Sequence, residues 1–127
     1  MEALLAMTER VRELDHRGVR VVLVDFSHLG PENAEPVIEQ AERFIARFPP
    51  GSVRLMTDVT GARYNRAVVE RLRRFAAHNT PYVRASAVVG LAPLHRAIHA
   101  AVQLFVKRRI EAFPTRQAAL DWLAQQG

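Results

Sequence analysis

The sequence predicts an α/β fold: a three-layer sandwich in which a mainly parallel four-stranded sheet carries helices on both faces. Three observations predict it. The stretch Val19–Asp25, V-R-V-V-L-V-D, is a short valine-rich run with apolar residues on both faces, the habit of a strand covered from both sides. Comparable runs stand at Ser52–Thr57 and Val83–Val89, with a weaker one at Arg109–Phe113. Each is followed by a helical pattern, and strands alternating with helices build a parallel sheet. At 127 residues the chain is expected to form one domain, 1–127. The weak last run belongs at an edge, which gives the strand order 2-1-3-4, counted from Val19.

Residues 2 to 16 read as an N-terminal helix. Leu4, Leu5, Met7, Val11 and Leu14 make an i, i+3, i+7 stripe, and Gly18 ends it. The first strand follows at about Arg20 to Asp25. The turn S-H-L-G-P-E-N leads to a helix over about 34–48. Asn33 is expected to cap it, and Pro36 falls in its first turn, where a missing N–H costs nothing. Pro49-Pro50-Gly51 stops it. The second strand, about Val53 to Thr57, runs into D-V-T-G-A-R-Y-N. Asn65 caps a helix ending near His78, Asn79 suits a left-handed C-terminal position, and Pro81 forbids continuation. The third strand spans about Tyr82 to Val89. Gly90 permits a tight turn into a helix over about 92–105, with Pro93 in its first turn. After the short fourth strand at 109–113, Thr115 caps a last helix with Ala119, Trp122 and Leu123 facing inward.

A content of 49% hydrophobic and 24% charged residues is that of a folded globular chain. The longest uncharged stretch, Ala85–Leu94, falls far short of the roughly 20 apolar residues of a membrane span. The N-terminus M-E-A-L-L-A-M-T-E-R has no basic leader before an apolar core, so it does not read as a secretory signal. No cysteine is present, which excludes disulfides and thiolate metal sites. A cytoplasmic setting is the simplest expectation. Seventeen arginines and one lysine give a net charge of +5. They are spread along the chain with few aromatic residues between them, so a solvated surface is expected rather than a nucleic-acid interface.

The segments L-V-D-F-S-H-L (23–29), D-V-T-G (58–61), P-Y-V-R-A-S-A-V-V-G (81–90) and F-P-T-R-Q-A-A-L-D-W-L (113–123) resemble the STAS-like, anti-sigma-factor-antagonist-like domains of bacterial proteins (sporulation stage II AA-like). The resemblance runs from about Val19 to Leu123. It implies the βαβ architecture above and two kinds of role. One is regulatory protein–protein docking, as in anti-sigma antagonists. The other is apolar ligand carriage, as in the similarly shaped CRAL-TRIO lipid carriers. Antagonists carry a phosphorylatable serine at the start of the helix after the second strand. The matching segment here is A-R-Y-N-R (62–66), with no serine, so that switch does not carry over. Thr60 is nearby but lies on the wrong side of the glycine.

With order 2-1-3-4 the winding would reverse between the first and third strands, and ligands sit beyond the carboxyl ends at such a point. Asp25, Ser27, His28, Asp58, Thr60, Asn65 and Gly90 gather there. They are read either as a polar cluster for an anion or a partner's carboxylate, or as residues that cap turns by bonding nearby N–H groups. Ser27, His28 and Asp58 have the residue types of a hydrolase triad. Adjacent Ser and His on an extended segment point opposite ways, and no G-x-S-x-G elbow is present, so no enzyme is expected. His95 and His99 stand i, i+4, but Arg96 lies between them and no third ligand is evident, so neither metal nor cofactor is expected.

The helix over 92–105 is apolar on more than one face. Leu94, Ile98 and Phe105 are candidate contacts on it, because sheet packing uses only one stripe. Its surplus calls for cover by a second subunit, a partner protein, a lipid tail or the N-terminal helix. The functional expectation is therefore a non-catalytic regulatory interaction module, a homodimer, docking through this helix and the turns at 27–30 and 58–65. The alternative is a carrier or sensor of a small apolar or lipid ligand held beneath that helix.

Overall fold

The computed structural model describes residues 9–106 and 108–126, less the side chains of Leu94, Ala101, Leu104 and Phe105. The elements are β1 (Val11–His16), β2 (Val19–Asp25), α1 (Pro31–Ile45), β3 (Val53–Asp58), α2 (Arg66–Asn79), β4 (Val83–Val89), a 3-10 turn (Pro93–His95), α3 (Arg96–Val106), β5 (Glu111–Phe113) and α4 (Arg116–Ala124). They form an α/β fold with a five-stranded mixed sheet in the order β1-β2-β3-β4-β5. β1 runs antiparallel to β2, and β2 to β5 are mutually parallel.

This corrects two expectations. Residues 11–16 are a strand, not the end of a helix, and residues 2–8 of that expected helix lie outside the described residues. Gly18 does not stop a helix. With Arg17 it forms a two-residue hairpin in which both residues have positive φ, 56° and 79°, the type I′ geometry that suits the strand twist. The hairpin fixes the second correction. β1 occupies one flank of β2, and the later strands add on the other flank in chain order. The order 2-1-3-4 is thereby replaced by a sequential one. The parallel strands contain no winding reversal, and the crevice expected at such a point does not arise. The weak last strand is at an edge, as its length suggested.

Sequential winding sends the crossover helices to one face. Val22, Val24, Val53, Leu55 and Val88 of the sheet pack there against Val37, Ile38, Ala41 and Ile45 of α1 and Phe75 of α2. On the opposite face Val21, Leu23, Met56, Ala87 and Val89 meet Ala119 and Leu123 of α4. The alternation along β2 explains its unbroken apolar run: both faces are covered.

Helix ends follow local chemistry. Asn65 Oδ1 accepts from Val68 N at 2.9 Å, and Thr115 Oγ1 accepts from Ala118 N at 3.2 Å, so both expected caps are in place. α1 differs. It starts at Pro31 behind Gly30, not behind Asn33, and Pro36 consequently lies inside the helix rather than in its first turn. The favoured N1 position of Pro31 sets the start. Asn79 is not left-handed either: it is the last helical residue of α2, and Thr80 after it has φ −51°.

Candidate functional site

The polar residues picked out from the sequence converge at the carboxyl ends of β2, β3 and β4, and there they bind one another. β2 and β3 end alike. Asp25 Oδ1 accepts from Ser27 N at 2.9 Å. Asp58 Oδ1 accepts from Thr60 N at 2.9 Å and from Thr60 Oγ1 at 2.7 Å. Both are side-chain turns of the kind Asp forms two residues ahead. The two turns are joined through the backbone, Phe26 N to Asp58 O and His28 N to Thr60 O, each at 2.8 Å. Gly90, with φ +81°, approaches Thr60 so closely that a Cβ would lie 2.0 Å from its Oγ1. His28 takes a left-handed φ of 60° and lays its ring over Gly61.

Arg116 closes this cluster and was not singled out from the sequence. Its Nε donates to Asp58 Oδ2 at 2.7 Å, and its Nη2 lies 3.2 Å from Asp25 Oδ2. Arg116 is the first residue of α4, where the helix dipole disfavours a cation. A basic residue at a helix start, where the dipole disfavours it, was the available hint of an acidic partner. Arg10 Nη1 adds bonds to the carbonyls of Asp25 and Ser27 at 3.0 and 3.1 Å. Burial pushes the Asp25 carboxyl up, but hydrogen bonds from Ser27 and the charges of Arg116 and Arg10 outweigh it and hold the group below its usual 3.8. Asp58 is 5% exposed, and both its oxygens are engaged. Among the described residues no hydrogen bond joins the side chains of Ser27, His28 and Asp58. The cluster is arranged as a clasp on the strand ends.

The remaining sequence candidates go elsewhere. Asn65 is spent on its cap. His99 Nε2 donates to Ile110 O at 3.0 Å, whereas the His95 ring packs edge-on to Tyr64 with centroids 4.6 Å apart, so the two imidazoles serve different neighbours. In the arginine cluster, Arg71 binds Glu35 and Glu42 of α1, and Arg73 pairs with Glu70. Ile98 faces inward. The side chains of Leu94 and Phe105 lie outside those described.

Ile98 lines a cavity between α3, α2 and the sheet. β3 and β4 supply its floor with Leu55, Thr57, Ser86 and Val88; α2 supplies Leu72 and Phe75; α3 supplies Ile98, His99 and Val102. The register explains the floor: Leu55 pairs with Ser86 and Thr57 with Val88, so these alternate residues share one face. Space for the centres of water-sized atoms is about 100 Å3, and the void with its open mouth is about 630 Å3. α3 packs beside α2, and the cavity opens between these two helices and the sheet. The wall is apolar, and Tyr64 shows the effect: burial pushes its phenol up to about 12. At one end stand Asn79, fully buried, and Arg108. Neither was expected as a site residue, since they meet only when α2 and the chain after α3 are folded together.

No family model and no curated protein matches the chain. Among solved structures, it is similar to an uncharacterised protein from the DUF3478 family with a SpoIIAA-like fold, from Shewanella loihica PV-4. The two share 17% identity over 89% of this chain and 91% of that one, with a TM-score of 0.66. The likeness extends to the fold alone, and the chain has a SpoIIAA-like α/β fold, in accord with the STAS-like resemblance of its sequence.

Proposed function

We propose that the chain is a non-catalytic binding module that takes a small apolar molecule into the cavity beneath α3. The void itself carries this reading. Close-packed interiors leave few gaps larger than a water molecule, and ligand sites are concave, apolar and few. The absence of catalysis is part of the proposal. It is supported by the clasp at the strand ends, where the carboxylates of Asp25 and Asp58 are already engaged.

Titration of isotope-labelled protein with 1-octanol tests it. Saturable amide shifts confined to Leu72, Val88, Ile98 and their neighbours are expected. An unresponsive spectrum, or shifts scattered over the surface, would count against the cavity.

A regulatory docking role is the second reading, favoured by the outward side of α3, where Ala97 and Ala100 are exposed beside Arg96. Small apolar surface of that kind suits a second copy or another protein in the cytoplasm. Without the phosphorylatable serine, occupancy of the cavity under the same helix supplies the switch. Sedimentation velocity at micromolar concentration tests the homodimer. A dimer that dissociates on Ala100→Glu supports it, and a monomer throughout removes it.

A further inference from the structure

The apolar cavity contains one group that an apolar occupant alone would leave unsatisfied. Arg108 turns its guanidinium to the C-terminal end of α2. Nε donates to Thr80 Oγ1 at 3.0 Å, and Nη2 to Ala76 O at 3.2 Å. Nη1 is buried and has no partner. Asn79 is 0% exposed; its Oδ1 accepts from His78 Nδ1 at 3.0 Å, and its Nδ2 has no partner. Both residues line the cavity. Capping the last turn of α2 accounts for two of the guanidinium nitrogens, but not for Nη1 or for Asn79 Nδ2. A buried donor without an acceptor is costly, and one on a charged group more so. Burial already pulls the Arg108 guanidinium down to about 10, a measure of how dry this end is, yet it stays cationic at neutral pH. No Asp or Glu lines the cavity among the described residues, so its positive charge has no counter-ion there.

We infer that the cavity takes an amphiphilic monoanion, a carboxylate on an apolar body, with the carboxylate oxygens on Arg108 Nη1 and Asn79 Nδ2 and the body along Leu72, Val88 and Val102. This rests on the proposed function and names its ligand class. Two unpartnered donors call for an acceptor group, and one positive charge matches one negative charge. A phosphate dianion would leave a net buried charge, which is strongly disfavoured. His99 does not compete for the anion: its Nε2 proton is given to Ile110 O.

Calorimetry with three probes of one chain length decides the matter: octanoate, 1-octanol and octyl phosphate. Octanoate is expected to bind at least about tenfold more tightly than the other two, as a charge-assisted hydrogen bond allows. Arg108→Gln should abolish that preference. Equal binding of octanoate and 1-octanol to the wild-type protein, or tighter binding of octyl phosphate, would overturn the carboxylate and keep the cavity. No binding of any probe would overturn the cavity itself. The wild-type comparison stands even if the variant fails to fold.

Discussion

Arg116 is the residue on which the strand ends depend. It neutralises Asp58, whose burial would otherwise leave a charge without a partner, and it shares its second arm with Asp25. Arg116→Met is expected to destabilise the fold by about 2–4 kcal/mol, read by urea denaturation; Asp58→Asn in the same background should recover part of that loss. Asp25 makes the pH dependence explicit. Its folded carboxyl titrates below the usual 3.8, so the stability it adds is fully present above that value and fades as pH falls through the folded one. The gap between wild type and Asp25→Asn should therefore be constant from about pH 5 to 7 and shrink below about pH 4. A gap that widened on acidification would contradict the assigned direction. Two glycines separate conformational from steric cost. At Gly18 a Cβ meets nothing within 4 Å, and only its φ of +79° resists substitution, so Gly18→Ala should cost about 1–2 kcal/mol. At Gly90 the Cβ would also lie 2.9 Å from the backbone Cα of Thr60, which cannot rotate away. Gly90→Ala should therefore cost more, about 2–4 kcal/mol.

At the scale of elements, α4 is the described cover for the second sheet face, and Leu123 is fully buried in it. Leu123→Ala is expected to cost about 2–5 kcal/mol by thermal or urea unfolding. Elements whose signals are local were legible in the sequence. The valine runs of β2 and β4 mark strands covered on both sides, and Asn65 and Thr115 stand as caps where their side chains promised. β1 was not legible. Val11 and Leu14 stand three apart, which fits a helix as well as an edge strand whose Arg12, Glu13 and Asp15 are exposed. Pairing with β2 decides between them, and pairing is a tertiary fact. The same strand takes one flank of β2, and nothing in the parallel runs says which flank of β2 is open. The clasp was half visible: Asp25 and Asp58 stand out in the sequence as an anion site or as turn formers, and the structure shows the turns, but Arg116 lies 58 residues beyond Asp58 and only the fold brings them together.

On the scale of the whole molecule, sequential winding puts α1, α2 and α3 over one face, and the cavity opens between α2, α3 and the floor of β3 and β4. The cavity follows from that architecture rather than from any motif, which explains why Asn79 and Arg108 could not be named from the chain alone. Ile98 could be, because surplus apolarity on its helix was a local signal. Filling the void provides the central test. In a close-packed core, enlarging a side chain costs about 1–3 kcal/mol, whereas Val102→Phe at this site has room and should leave stability within about 0.5 kcal/mol of wild type. The decisive measurement is 1-octanol titration of wild-type and Val102→Phe protein followed by amide shifts. Saturable shifts around Val88 and Ile98 in the wild type and none in the variant are predicted. Undiminished shifts in the variant, or none in either protein, would contradict a binding site beneath α3.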